Sequence, residues 1–349
     1  MPPTLPKLSY VLLSHNREKY IRAAIESAFA QDYEGELEYI FSDDCSTDRT
    51  FEIIKECVAA YKGNRRVIVT QTPRNLHLAG NTNHAVKFAT GEWVIRADDD
   101  DFSSVDRCKI AAEAIVKFPN ARYIALPNAY FTADEFTDAR QRSLQHNVKE
   151  IVFSESSILD GGVPPFMGGP YSYKIWHIDV YRKFPELSHS ACYVDDYIAY
   201  LRALVLGSAV KVDCSALVLA LKDVSSMCRG GITTGSLYQQ RVQYERFLEK
   251  YYSMSLAPLE ETFRSLLKYI NGHYSQEQMA EIEPFLKFVN REIERFSQMQ
   301  YYWQNNTFYR IRLMRKYFHV GFYTLLRTLP LPLFARLYSF LKKIKSIMN

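Results

Sequence analysis

Short apolar runs and longer amphipathic stretches take turns along the first 125 residues. Leu8–Leu13, Leu37–Phe41, Val67–Thr70, Glu92–Ile95 and Tyr123–Leu126 are rich in β-branched, aromatic and leucine side chains and predict strands. Between them, Lys19–Ala30, Thr50–Tyr61, Asn81–Ala89 and Arg107–Phe118 are apolar at i, i+3/i+4 and i+7, the period of a helix with one buried face. Ser46-Thr47-Asp48 and Ser103-Ser104 precede the second and fourth of these helices, where short oxygen-bearing side chains accept the first free amide hydrogens. Strands and helices alternating at this spacing predict right-handed βαβ units and a parallel sheet. Ligands of such sheets collect beyond the carboxyl ends of the strands.

From 127 to 192 the alternation fades into a stretch expected to be rich in loops, with GGVPPFMGGP at 161–170. Glycine and proline at that density forbid a continuous helix and let backbone approach a ligand closely. A helix over Val194–Leu206 and strands over Ala209–Val212 and Ala216–Leu221 follow. Beyond 232 the pattern is helical, over Leu237–Tyr252, Leu259–Asn271, Gln276–Ser297 and Phe308–Arg327. The chain therefore divides into an α/β domain over 1–230, a helical region over 231–304 and a tail over 305–349.

Composition narrows the class. Apolar residues make up 47% and charged residues 23%, enough apolar surface for a packed core. The six cysteines are scattered without a C-x-x-C pair, which predicts free thiols in a reducing cytoplasm. The N-terminus lacks a secretory pattern, and no uncharged run is long enough to span a bilayer, so a cytoplasmic location is expected. The net charge of +4 hides a split: residues 295–349 carry ten Lys or Arg and no acid, leaving the rest of the chain net negative. These cations alternate with Leu, Phe, Tyr and Ile, which suits an anionic membrane surface better than nucleic acid. A peripheral position on the cytoplasmic face, without a spanning helix, is the expectation; the competing one is a helical pair packed on the α/β domain.

The sharpest chemical feature is Asp98-Asp99-Asp100-Asp101, directly after the strand EWVIRA. Four adjacent carboxylates repel one another and suit a strand end poorly. One or two would make an ordinary acidic turn; four point to a divalent cation that offsets the repulsion, Mn²⁺ or Mg²⁺ for oxygen donors. Ser42-Asp43-Asp44 ends the second strand and alone is only a capping cluster. The first, second and fourth strands end at one edge, however, so Leu13-Ser14-His15-Asn16-Arg17, Asp43-Asp44 and the Asp98 cluster are expected to converge on one crevice.

SYVLLSHNREKYIRAAIESAFAQ, ELEYIFSDDCSTDRTFEII, NTNHAVKFATGEWVIRADDDDFSSVDR and VDDYIAYLRALVLG, in this order and spacing, resemble the family 2 glycosyltransferases over roughly residues 8 to 228. The resemblance implies a GT-A fold, a Rossmann-like, mostly parallel sheet flanked by helices, and a nucleotide-diphosphate sugar as donor. The acceptor would be a glycan or a lipid-linked molecule, in cell-surface polysaccharide or glycolipid assembly. Asp44 falls where the family contacts the base, with Leu13, Ser14, His15, Asn16 and Arg17 around it, and His15 stands where an aromatic Tyr is usual. Asp98 and Asp100 fall on the D-x-D motif that holds metal, and Asp98 and Asp99 also face the nucleotide. Gly168-Gly169-Pro170-Tyr171-Ser172 matches the segment beside sugar and acceptor. Asp195-Asp196 matches a Glu-Asp pair whose second acid is the general base, and Asp223 stands at the position of a metal-site His.

Beside the resemblance stands the chemistry of Asp196 itself. A sugar hydroxyl is barely acidic, so direct displacement at the anomeric carbon needs a carboxylate to take its proton. One base and no covalent intermediate inverts that centre. Without the upstream motifs, Asp195-Asp196 reads as a capping pair ahead of YIAYLRAL. Two other functions compete. A sugar-nucleotide pyrophosphorylase wants a glycine-rich loop after the first strand, and LLSHNREKY has no glycine. A non-catalytic carbohydrate- or lipid-binding protein on a decayed transferase fold finds room only in Asp223.

Overall fold

The computed structural model describes residues 4–146, 148, 150–158, 174–188, 195–221 and 258–305. The predicted alternation is present: β1 (Leu8–Ser14), α1 (Ile21–Phe29), β2 (Leu37–Asp43), α2 (Thr50–Ala60), β3 (Val67–Gln71), α3 (His77–Val86) and β4 (Trp93–Asp98). After a two-residue strand, β5 (Phe102–Ser103), come α4 (Arg107–Lys117) and β6 (Ala121–Ala125). β1 pairs in parallel with both β2 and β4, and β2 with β3. β1 and β2 are apolar-rich and buried along their whole length because helices cover both faces of this part of the sheet. Tyr10, Leu12, Tyr39, Phe41 and Ile95 pack with α1, α2 and α4 on one face. Val11, Leu13, Ile40 and Val94 pack with α3 on the other.

The stretch expected as loop carries much more. β7 (Asn128–Phe131), α5 (Phe136–Ser143), β8 (Val152–Ser157) and β9 (Lys174–His177) all fall within it. α6 (Asp179–Arg182), α7 (Asp195–Leu206), β10 (Ser208–Asp213) and β11 (Val218–Leu221) follow. The main sheet has eight strands in the order β3-β2-β1-β4-β9-β6-β10-β8. β9 enters antiparallel between β4 and β6, β8 runs antiparallel to β10 at the edge, and β10 pairs in parallel with β6. The sheet is therefore mixed in its second half. β9 is four residues long, and KIWH carries a polar residue at each end, too short for a period of two to stand out. A small second sheet joins β5, β11 and β7.

A second core lies under α7. Tyr123, Trp176, Tyr200 and Leu204 pack with Phe263, Leu266 and Ile270 of the helix over 258–273 (α8) and with Phe285 and Val289. The helix expected over Gln276–Ser297 is two: α9 (Gln276–Glu281) and α10 (Glu283–Asn305). Ser275 caps α9, its hydroxyl accepting the Gln278 N–H. Pro284 starts α10 in its first turn, where a missing N–H costs nothing. The helices expected over Leu237–Tyr252 and Phe308–Arg327 lie outside the described residues. Among the described residues no helix is long and apolar enough to cross a membrane.

Candidate functional site

Parallel register puts the chemistry at one edge: Ser14 lies opposite Asp43, and Leu13 opposite Asp98. Three loops leave from there, and the backbone is strained around them. The three non-glycine residues with left-handed backbone among the described residues are Asn16 (φ 54°), Cys45 (φ 56°) and His77 (φ 59°). Each costs on the order of 1 kcal/mol, a strain that concentrates at binding sites. Asp43, fully buried, pins the β2–α2 loop by accepting from the Ser46 N–H at 2.9 Å and from Gln71 Nε2 at 2.8 Å.

Asp44 donates its N–H to the Ser14 carbonyl at 2.8 Å, so its carboxylate is aimed by β1. Its Oδ1 accepts the Leu76 N–H at 2.7 Å, and the Thr72 hydroxyl lies at 2.8 Å. No described residue donates to Oδ2, which is the oxygen left for a ligand. Beside it, the His15 ring has Nδ1 2.9 Å from the Asp44 carbonyl. Its Nε2 is 3.2 Å from Asn16 Nδ2 and 3.0 Å from Asn75 Nδ2. Carbonyls only accept and amide nitrogens only donate, so the hydrogen belongs on Nδ1 and the ring is neutral. Asn16 Oδ1 accepts the Thr47 N–H and Asn75 Oδ1 the His77 N–H, which fixes both amides. Of the expected pocket residues, His15 meets Asp44 directly and Asn16 reaches it through the His15 ring. Leu13 is buried beneath α3, and Ser14 Oγ turns to Asp43 at 3.3 Å.

The four aspartates do not form one cage. Asp99-Asp100 is a turn, and each carboxylate faces a different way. Asp98 lies 3.4 Å from Arg96 Nη2, Asp99 Oδ2 accepts the His15 N–H at 2.7 Å, Asp100 Oδ2 accepts from Arg17 Nε at 3.2 Å, and Asp101 Oδ1 accepts the Leu221 N–H at 3.1 Å. Asp101 is thus a tie to β11, and Asp99 holds the His15 backbone. Arg17, expected beside the nucleotide, sits on the acidic turn. Burial and then the charge of Asp100 push the Asp99 carboxyl well above its usual range. Burial raises Asp100 too; Arg17 opposes this, and Asp98 adds to the rise. Carboxylates left short of positive charge in this way suit a divalent cation, and Asp98 and Asp100 keep partly exposed side chains, 25% and 21%. Among the described residues, the group of three potential ligands close enough to share one ion is Asp32, Asp106 and His146, none of them from this crevice. Asp223 and Gly168–Ser172 lie outside the described residues.

Asp195 and Asp196 open α7, both buried. Asp195 Oδ2 accepts from Arg96 Nη1 at 2.7 Å, so buried Arg96 ties the α7 pair to Asp98. Burial, relieved by Arg96 and reinforced by Asp196, pushes the Asp195 carboxyl up to about 6. Asp196 Oδ2 accepts from Lys174 Nζ at 2.5 Å. In the sequence Arg96 stands just before the acidic cluster, which fits balancing its charge and touching a phosphate equally well. Lys174, Asn75 and Thr72 carried no sequence signal, because one lysine in a short aromatic strand and two polar loop residues look ordinary.

Residues 9–173 match the family described as Glycosyl transferase family 2. That match takes in just under half of the chain, and the mostly parallel sheet flanked by helices is the arrangement that the resemblance to this family implies. Among relatives, it is 33% identical over 131 residues to the putative glycosyltransferase EpsE of Bacillus subtilis (strain 168), covering 38% of this chain and 45% of the relative. It is 35% identical over 111 residues to the poly(ribitol-phosphate) β-N-acetylglucosaminyltransferase TarS of Staphylococcus aureus (strain Mu50 / ATCC 700699), covering 31% of this chain and 19% of that one. The chain thus spans less than half the length of these relatives. Among solved structures, S. aureus TarS 1-349 in complex with UDP-GlcNAc aligns at 19% identity with a TM-score of 0.49, covering 85% of this chain and 91% of that chain. A mannosyltransferase from Pyrobaculum calidifontis in complex with GDP-Man and Mn²⁺ aligns at 16% identity and 0.47, covering 86% of each chain.

Proposed function

We propose that this chain is an inverting glycosyltransferase that moves a sugar from a nucleoside-diphosphate donor to a hydroxyl of a glycan or lipid-linked acceptor. The observation that carries the reading is the convergence of Asp44, Asp98–Asp100 and Asp195-Asp196 beyond the carboxyl ends of β1, β2 and β4 in a family 2 domain. Asp44 Oδ2 binds the base, and the neutral His15 ring lies beside it. Asp98 and Asp100 hold Mn²⁺ or Mg²⁺, with Asp223 as third protein ligand. The bound ion supplies neutralisation of the departing diphosphate. Asp196 takes the acceptor proton as the hydroxyl oxygen bonds to the anomeric carbon and the bond to the diphosphate breaks. One displacement by one base inverts that carbon.

The S. aureus relative is named for N-acetylglucosamine transfer to poly(ribitol phosphate). N-acetylglucosamine donors and anionic surface polymers therefore head the trial substrates, in keeping with cell-surface polymer assembly. The test is a thermal-shift and nucleotide-release screen of UDP-, dTDP- and GDP-sugars with and without Mn²⁺. Stabilisation by at least one donor is expected only with the cation, and is lost in Asp100→Ala. Donor binding that survives both EDTA and Asp100→Ala removes the metal from the reading, and no response to any donor removes the reading itself.

A further inference from the structure

We propose that Lys174 is a positioning residue for Asp196: it holds one carboxylate oxygen and leaves the other turned to the crevice. The inference rests on the glycosyltransferase reading above and adds how the base of that site is held.

Lys174 opens β9 and is 2% exposed, yet its ammonium ends 2.5 Å from Asp196 Oδ2. No described residue donates to Asp196 Oδ1. The carboxylate is therefore gripped on one side only. Next to it, Asp195 has its own buried cation, Arg96. Two adjacent carboxylates on the first turn of α7 thus meet two separate cations, one from β4 and one from β9. The antiparallel entry of β9 between β4 and β6 is what delivers the second, with Lys174 opposite Ala125 and Ile175 opposite Ile95.

The remaining groups facing Asp196 do not substitute for Lys174. Arg96 is already shared between Asp195 and Asp98. Tyr123 on β6 presents a buried phenol whose hydroxyl has no hydrogen-bond partner among the described residues; burial, and then the charge of Asp196, keep it protonated. Asp195 only repels. Removing Lys174 would leave Asp196 as a buried carboxylate beside another, and such a group takes up a proton more readily. The choice of lysine also has a geometric reason. Arginine presents a planar fork that engages both oxygens of a carboxylate, whereas an ammonium is a point charge that satisfies one.

The experiment uses the full chain. Lys174→Met is expected to lower kcat at neutral pH by about 10²-fold or more, the usual worth of a general base, with donor affinity unchanged. Its activity should fail at higher pH than in the wild type as pH decreases. Difference infrared at pH 7 should show a protonated-carboxyl band in Lys174→Met that is missing from wild type and from Lys174→Met/Asp196→Asn. Lys174→Arg keeps the charge and should show no such band. Lys174→Gln, which retains a donor to Oδ2 without the charge, replaces the Met variant if that one does not fold. Turnover in Lys174→Met with a wild-type pH profile and no carboxyl band overturns the inference alone. A wild type that turns over no donor overturns the glycosyltransferase reading, and the role of Lys174 with it.

Discussion

Adjacent residues of one type need not share one task, and the four aspartates after β4 show why. A turn at Asp99-Asp100 sends successive side chains to different partners. Asp99 and Asp101 are tied to backbone N–H groups, whereas Asp98 and Asp100 lie beside Arg96 and Arg17 and stay partly exposed. Sequence identifies the acidic cluster and its place at a strand end; it does not carry the direction of each carboxylate, which depends on the turn. The Asp195-Asp196 pair was legible as two acids opening a helix, while the cations that separate their roles lie 99 and 22 positions away in the chain. Asp196→Asn should keep donor binding and lower transfer by about two to four orders of magnitude, compared by calorimetry and initial rates. If Asp195→Asn is instead the inactive variant and Asp196→Asn transfers normally, the base is Asp195.

At the scale of elements, the apolar-rich runs of β1 and β2 and the amphipathic periods of α1, α2 and α4 made half the sheet readable in advance. The other half was not readable because β8 and β9 lack a period: β8 is a largely exposed edge strand, and β9 is too short. Their places come from tertiary pairing. One glycine is fixed by such pairing. A Cβ on Gly91 would lie 2.7 Å from the backbone nitrogen of Ser9, and the Gly91 N–H donates to Ser9 Oγ at 2.9 Å. Gly91→Ala must therefore push β4 from β1 at the end of the sheet opposite the crevice. A loss of about 1–3 kcal/mol is expected, as for other overpacked sites, read as a lower urea midpoint. Wild-type stability in Gly91→Ala would mean that the two strands give way freely.

For the molecule as a whole, charge is divided between a net negative body and a basic stretch from residue 295 onward, which starts within α10. Residues 306–349 lie outside the described structure, and their partner is argued from sequence. Arg310, Arg312, Arg315, Lys316, Arg327, Arg336, Lys342, Lys343 and Lys345 are interleaved with large apolar side chains. Such a segment can rest in a bilayer interface, each cation adding about 1 kcal/mol on an anionic surface at low salt. Proline at 330 and 332 would interrupt a continuous helix, and Arg327 and Arg336 would make a buried span costly. The full chain should float with anionic liposomes at low salt, and a chain ending at residue 304 should not. Equal flotation of the two, or flotation indifferent to lipid charge, assigns the tail to ordinary packing.

The place of β9 also sets an order of assembly. β4 and β6 are made early, but the strand between them is synthesised only after β7, α5 and β8. Until residue 177 has emerged from the ribosome, the facing edges of β4 and β6 are open ladders able to pair with other chains. The family match ends at residue 173, one position before that strand begins. A fragment cut at the end of the match therefore exposes both edges. It is expected to aggregate on expression, and one extended through β10 and β11 to residue 221 to be the better behaved of the two, as size-exclusion chromatography of the pair would show.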